Sequence, residues 1–231
     1  MRAILEAGLP QVGADPGCIP ALERFADLLL EKNQVMNLTA ITEPEAVATL
    51  HLLDSLAVWQ AADLAGKSLI DVGTGAGFPG LPLRLAHPEI RLTLLDSLNK
   101  RVEFLREVCS QLGLEDVKCV HGRAEEFAAG HREQFDGAVS RAVADLRVLS
   151  ELCLPLVKVG GVFLSMKSTD CEEELNAAKG AIRALGGRTE RVVDYPIPAT
   201  DVVHRVIVIR KLSPTPARYP RRFAQIKKQP L

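Results

Sequence analysis

With 231 residues, 47% of them hydrophobic and 25% charged, the chain can bury a full-sized core and suits one domain with an appendage or a small pair of domains. Five scattered cysteines (Cys18, Cys109, Cys119, Cys153, Cys171) with no C-x-x-C pair argue against a disulfide framework and a metal site, and suit a reducing, cytosolic compartment; no apolar run approaches the ~20 residues that span a bilayer, and the opening MRAILEAGLPQVGADPG is too interrupted for a secretory segment. The net charge of −1 conceals an asymmetry, because residues 202–231 hold eight basic residues and no acidic one, leaving −9 on residues 1–201; such a tail suits either a polyanionic partner or a solvated, disordered end.

Two helices are expected first. In IPALERFADLLLEKNQ, Leu22, Phe25, Leu28 and Leu29 recur at helical spacing. Thr42-Glu43-Pro44-Glu45 reads as a capping box with a proline tolerated in the first turn, opening a helix through Val47, Leu50, Leu53 and Leu56 to about Trp59. From Lys67 the rhythm changes. SLIDVG, RLTLLD, VKCVHG, FDGAVS, GGVFLSMK and VVHRVIVIRK read as strands, with helical stretches near 80–86, 98–112, 123–129, 144–156 and 171–185 between them. Gly160-Gly161 reads as a tight turn into a strand, and Gly186-Gly187 as a helix end before the last pair of strands. The alternation predicts an α/β fold: a doubly wound, mostly parallel sheet with helices on both faces.

DVGTGAGFPGLPL (71–83) carries two overlapping patterns, Gly73-x-Gly75-x-Gly77 behind Asp71 and the dinucleotide fingerprint Gly75-x-Gly77-x-x-Gly80. In a doubly wound sheet this first strand-to-helix turn faces the ligand. A carboxylate at Asp71 would repel a pyrophosphate and suit the cationic amino and sulfonium groups of S-adenosyl-L-methionine, with the Pro79-Gly80 helix start left for the methionine carboxylate. Asp96, ending the second strand, would bind ribose hydroxyls in either ligand.

After the third strand, His121-Gly122-Arg123-Ala124-Glu125-Glu126 stands where an adenine edge is contacted, or is simply a helix start with favourable acids. Ser140-Arg141-Ala142 ends the fourth strand, and a desolvated guanidinium at Arg141 needs a partner: a structural carboxylate, substrate or cofactor. Three elements are missing. SRAVADL contains no Asn/Asp-Pro-Pro-aromatic loop for an exocyclic amine, Cys153 lies in an apolar helical pattern and reads as core rather than nucleophile, and none of the five histidines pairs with a convincing Ser or Asp constellation. A site without a dedicated base suits a nucleophile that already has a free lone pair, such as guanine N7 or a thiol-like small molecule, and catalysis by positioning. A nicotinamide-dependent dehydrogenase using the overlapping fingerprint and a non-catalytic RNA-binding regulator remain as alternatives.

Taken together, QVMNLTAI (34–41), HLLDSL (51–56), DVGTGAGFPGLPL, LLDSLNKRVEFL (94–105), GRAEEF (122–127), FDGAVSRA (135–142) and RYPRRFAQIKKQPL make the chain resemble the bacterial 16S rRNA (guanine-N7)-methyltransferase family, RsmG, also called glucose-inhibited division protein B. The resemblance implies a Rossmann-like class I methyltransferase fold with a seven-stranded sheet. It implies methyl transfer from S-adenosyl-L-methionine to N7 of a guanine in the decoding-region loop of 16S rRNA, free or in a small ribosomal subunit precursor. It divides the chain into a helical N-terminal extension (1–62), a methyltransferase domain (63–212) and a basic C-terminal tail (213–231). With the loop reading above, the cofactor residues are Asp71, Gly73, Gly75, Phe78, Asp96, Ala124, Glu125 and Arg141, and Arg141 is also a candidate for placing the substrate. Asn37, Arg218, Arg221, Arg222, Lys227 and Lys228 fall on the RNA side, where Tyr219 and Phe223 interleave aromatic rings with cations. The chain is read as a cytoplasmic monomer that binds no metal and no membrane. It departs from the family pattern at Ala224 and Ile226, where glycine and proline are usual, which leaves the tail's conformation open.

Overall fold

The computed structural model describes residues 1–141 and 144–231; Ala142, the last residue of the Ser140-Arg141-Ala142 stretch, lies outside the described residues. Seven strands, β1 (Ser68–Val72), β2 (Arg91–Asp96), β3 (Lys118–His121), β4 (Phe135–Arg141), β5 (Val157–Ser168), β6 (Gly187–Pro196) and β7 (Val203–Lys211), form one sheet in the order β3-β2-β1-β4-β5-β7-β6. Only β7 is antiparallel to its neighbours. The chain leaves β1 toward β2 and β3, then returns to place β4 on the other side of β1. That reversal opens a crevice beyond the carboxyl ends of β1 and β4, the place where doubly wound sheets bind ligands.

Each strand alternates its side chains between two cores. Leu69, Val139, Leu164, Val206 and Val208 face one core, and Ile70, Ala138, Phe163, Ile207 and Ile209 face the other. Helices cover both. The first core is closed by α1 (Arg2–Gly8), α2 (Ile19–Met36), α5 (Gly80–Ala86) and α6 (Asn99–Gln111), the second by α7 (Ala124–His131), α8 (Leu146–Cys153), α9 (Glu172–Ala184) and α10 (Phe223–Lys228). Leu22, Phe25, Leu28 and Leu29 of α2 are buried, as their spacing predicts, and Cys153 is fully buried. The N-terminal helices share the first core with the sheet instead of hanging beside it. Among the described residues no helix is long and apolar enough to cross a membrane.

Several local expectations are corrected. The first helix, α1, lies in the segment read only as too interrupted for a secretory region. The capping box does not form: the helix start at α3 (Pro44–Ala46) is capped by the extended backbone of Glu43, with no side-chain hydrogen bond, although Pro44 sits in the first turn as expected. The chain then widens into a π-helix over Val47–Leu53 before returning to α-helix at α4 (Asp54–Ala57). Gly160-Gly161 lies inside β5, where the register against β4 shifts between Phe135 and Gly137, rather than before it.

The tail is the largest correction. Of its eight cations, Arg205, Arg210 and Lys211 belong to β7; Arg205 pairs with Asp194 and Glu172, and Arg210 with Glu190. Lys211 is buried and donates to Leu154 O and Thr215 Oγ1, 3.1 Å from Glu133. Arg221 donates through Nε and Nη2 to both oxygens of the fully buried Glu151. Arg132 holds the carbonyls of Thr215, Pro216 and Tyr219. Ile226, where the family pattern departs, is fully buried in the second core. The segment is therefore folded onto α8, not a solvated end.

Candidate active site

The glycine loop turns sharply because its backbone is held from below. Gly73 N–H donates to Leu95 O at 2.8 Å and Gly75 N–H to Asp96 Oδ2 at 2.9 Å. Gly75 has φ of +62° and open space where a Cβ would stand, on the wall of the cleft. Gly77 has φ of +103°, and a Cβ there would lie 2.6 Å from Leu81. The first needs glycine for its backbone conformation, the second for conformation and packing. The cleft of about 500 Å³ under this loop is lined by Gly73, Gly75, Phe78, Asp96, Leu98 and Arg141, among others.

Asp96 stands on the cleft wall with acceptor capacity to spare. Its Oδ1 accepts from Leu98 N–H at 2.8 Å and its Oδ2 from Gly75 N–H, so each oxygen keeps a lone pair for a hydroxyl donor. Asp71 does not reach the cleft, which corrects the sequence expectation. It is fully buried beneath the loop, and its Oδ2 accepts from Thr74 Oγ1 at 2.8 Å and from Gly80 N–H at 2.9 Å, while Oδ1 is buried without a partner. Burial pushes its carboxyl up to about 7 despite those two hydrogen bonds. The helix start expected to receive a ligand carboxylate is thus already satisfied from inside, and α5 begins at Gly80 with that bond in place. Ala124 and Glu125 occupy the first turn of α7 after β3, outside the described cleft lining.

Arg141 ends β4 and finds its partner in the protein. Its Nη1 donates to Asp54 Oδ2 at 2.9 Å and to Leu50 O at 3.2 Å, and Nη2 donates to His51 Nδ1 at 3.2 Å. Arginine can only donate, so His51 accepts at Nδ1 and carries its proton on Nε2, which lies 2.7 Å from Thr39 Oγ1. Burial, reinforced by the Arg141 charge, lowers the His51 pKa to about 4 and keeps the ring neutral at neutral pH. The guanidinium also lies 5.0 Å from the Phe78 ring centroid, and Phe78 stacks on His51 at 4.5 Å. The Leu50 carbonyl and His51 both come from the π-helical segment, whose widened turn distinguishes it from the flanking helix.

Asp54 is the hub. It is 1% exposed, and besides Arg141 it takes Tyr195 Oη–H at 2.8 Å and His204 Nδ1–H at 2.8 Å, both on Oδ1. Burial alone would raise its pKa, but His204, Arg141 and Tyr195 outweigh it and hold the carboxyl below its ordinary value. The same environment raises the Tyr195 phenol. Sequence reasoning missed this His–Asp pairing and dismissed the histidines. HLLDSL marks His51 and Asp54 as polar residues inside an apolar helical run, but the partners of Asp54 come from distant strands.

His51 and Arg141 also line a second cavity of about 750 Å³, together with Leu50, Asp54, Met166, Lys167, Glu174 and His204. Sheet register explains the grouping, since Arg141 pairs with Met166 and Ser168 with His204. Asn37, Arg218, Arg222, Lys227 and Lys228 are exposed, whereas the guanidinium of Arg221 is taken up by Glu151. Among the described residues no cluster of three or more His, Cys, Asp or Glu is placed to hold a metal.

Residues 18–201 match the family model described as rRNA small subunit methyltransferase G. The ribosomal RNA small subunit methyltransferase G of Alkaliphilus metalliredigens is 49% identical over 235 residues, covering 100% of this chain and 98% of that protein. Its counterpart in Clostridium botulinum (strain Loch Maree) is 47% identical over 210 residues, covering 90% and 88%. Among solved structures, TrmN from Thermus thermophilus is similar with a TM-score of 0.54 and 22% identity, over 68% of this chain and 48% of that one. TYW2 of M. jannaschii, solved in complex with AdoMet, gives 0.51 and 14% over 62% and 67%. These structures share the fold; the sequence relatives carry the kinship, and the chain belongs to the rRNA small subunit methyltransferase G family.

Proposed function

We propose that this chain transfers a methyl group from S-adenosyl-L-methionine to N7 of a guanine in the decoding-region loop of 16S rRNA. The observation that carries the reading is the shared wall: His51 and Arg141 border both the cleft under the glycine loop and the second cavity, so a donor in one stands beside an acceptor in the other. Bound S-adenosyl-L-methionine supplies an electrophilic methyl group on a sulfonium. Asp96 holds the ribose hydroxyls, and the main chain at Gly73 and Gly75 admits the ligand at close range. Ala124 and Glu125 edge the adenine. Asp71 acts from behind, fixing the loop to the start of α5.

Guanine N7 has a lone pair at neutral pH, so the site has to position and shield it rather than remove a proton. Arg141, clamped between Asp54, Leu50 O and the Phe78 ring, is a rigid part of that wall. Asp54 neutralises Arg141, so the wall that meets the purine presents no uncompensated cation as positive charge develops on the base. Asn37 and the four exposed tail cations Arg218, Arg222, Lys227 and Lys228 contact RNA phosphates, with Arg123 stacked 5.2 Å from the Phe223 centroid as a platform for a base. The dehydrogenase alternative loses its anchor, because the backbone N–H at the helix start that a pyrophosphate would use is taken by Asp71. Purified protein given methyl-tritiated S-adenosyl-L-methionine should label 16S rRNA from a strain lacking the enzyme, as free RNA or as small subunits. No label in either form would refute the substrate.

A further inference from the structure

On the second cavity that Arg141 also lines, one ion pair is left with an unspent donor beside an unspent acceptor. Lys167 Nζ donates to Ala144 O at 2.7 Å and to Glu174 Oε1 at 2.6 Å, which uses two of its three N–H groups. Glu174 Oε1 accepts from Lys167 and from Leu146 N–H at 2.5 Å, whereas Oε2 accepts no hydrogen bond among the described residues. Both side chains line the cavity, and both are held: Lys167 is 11% exposed and Glu174 23%. We propose that Lys167 and Glu174 read the Watson–Crick edge of the acceptor base and make the site specific for guanine.

The pattern decides between the purines. Guanine presents an acceptor, O6, beside a donor, N1–H, with a second donor on the exocyclic amine. The remaining Lys167 N–H meets O6, and Glu174 Oε2 meets N1–H. Adenine presents the reverse, a donor at position 6 and an acceptor at N1, which would set N–H against N–H and lone pair against carboxylate. Adenine also has an N7 nucleophile, so the two purines differ in the groups at positions 6 and 1 rather than in the reacting atom. Polar groups left unpaired in a buried site reject the wrong base more strongly than lost contact area does. N7 lies on the next edge of the base, and Arg141 lines both this cavity and the cleft.

The inference rests on the acceptor reading above, and its test separates the two. Transfer is measured to substrate RNA bearing guanine, inosine or 2-aminopurine at the acceptor position. Inosine keeps O6 and N1–H and should be methylated within a few-fold of guanine, while 2-aminopurine lacks both and should fall by roughly 10- to 100-fold. Glu174→Gln keeps a carbonyl for Lys167 and Leu146 but turns an N–H₂ toward N1–H, so the guanine-to-2-aminopurine ratio should collapse by about tenfold or more with cofactor affinity unchanged. Comparing ratios between the two proteins cancels the intrinsic N7 reactivity of each base. If the parent protein methylates 2-aminopurine as well as guanine, or the ratio is the same in Glu174→Gln, the proposal is wrong. If the parent labels no guanine N7, the functional reading has failed instead.

Discussion

Asp71→Asn should make the protein more stable as pH rises, although the residue sits at the centre of the loop. In the folded chain the carboxyl titrates at about 7, against 3.8 for an unperturbed group, because burial disfavours its charged form. A folded pKa above the unfolded one means that the native state holds an extra proton between those values. Stability is therefore greatest below pH 3.8 and is lost as pH rises to 7, at about 1.4 kcal/mol per pH unit and about 4 kcal/mol in total. His51 works in the opposite sense. Its pKa falls from 6.5 to about 4, so its contribution is present above pH 6.5 and is lost as pH falls, by about 3 kcal/mol. The two slopes nearly cancel between pH 4 and 6.5. An asparagine carbonyl can keep the Thr74 and Gly80 hydrogen bonds, and its N–H₂ replaces the unpartnered Oδ1, an orphan cost independent of pH. Urea denaturation at several pH values from 5 to 8 should show the variant gaining on the parent by about 1.4 kcal/mol per pH unit up to pH 7, then levelling. Parallel stability curves would refute the assignment of Asp71 as a buried, uncompensated carboxyl.

Three further changes probe separate parts of the structure. Arg221→Ala leaves the fully buried Glu151 with one backbone donor and should cost about 3–5 kcal/mol, with early proteolysis after residue 212; adding Glu151→Gln should recover much of the loss in a denaturation series. Asp54→Ala strips the shared acceptor from Arg141, Tyr195 and His204 and should cost about 3–5 kcal/mol, whereas Asp54→Asn, which keeps an acceptor oxygen, should fold more stably than the alanine variant while still losing methyl transfer. Gly75→Ala and Gly77→Ala both strain a left-handed backbone, but the added methyl enters the cleft wall in the first and strikes Leu81 in the second. Calorimetry and melting should therefore show cofactor affinity falling most in Gly75→Ala and stability falling most in Gly77→Ala.

Much of the fold was legible because it rests on local pattern. Strand-length apolar runs, the helices between them and the glycine turn each announced themselves at short range, and α5 spans 80–86 as read. The candidate site was legible only where one residue type at a strand end carries meaning, as with Asp96 and Arg141. Asp71 misled because its position at a strand end says nothing about which face its side chain takes; with Leu69 it lies on the α5 face, under the loop. The Asp54 hub joins residues 87 to 150 positions apart, a grouping created by sheet order and invisible to spacing. The tail misled through composition, since half of its cations are paired with acids supplied from elsewhere in the chain.

The most direct test is mass-spectrometric mapping of small-subunit rRNA from a strain lacking the enzyme, after incubation with this protein and S-adenosyl-L-methionine carrying a deuterated methyl group. The expected result is one labelled nucleotide, a guanosine in the decoding-region loop modified at N7. Label on another base, at another atom of guanine, or on none would contradict it.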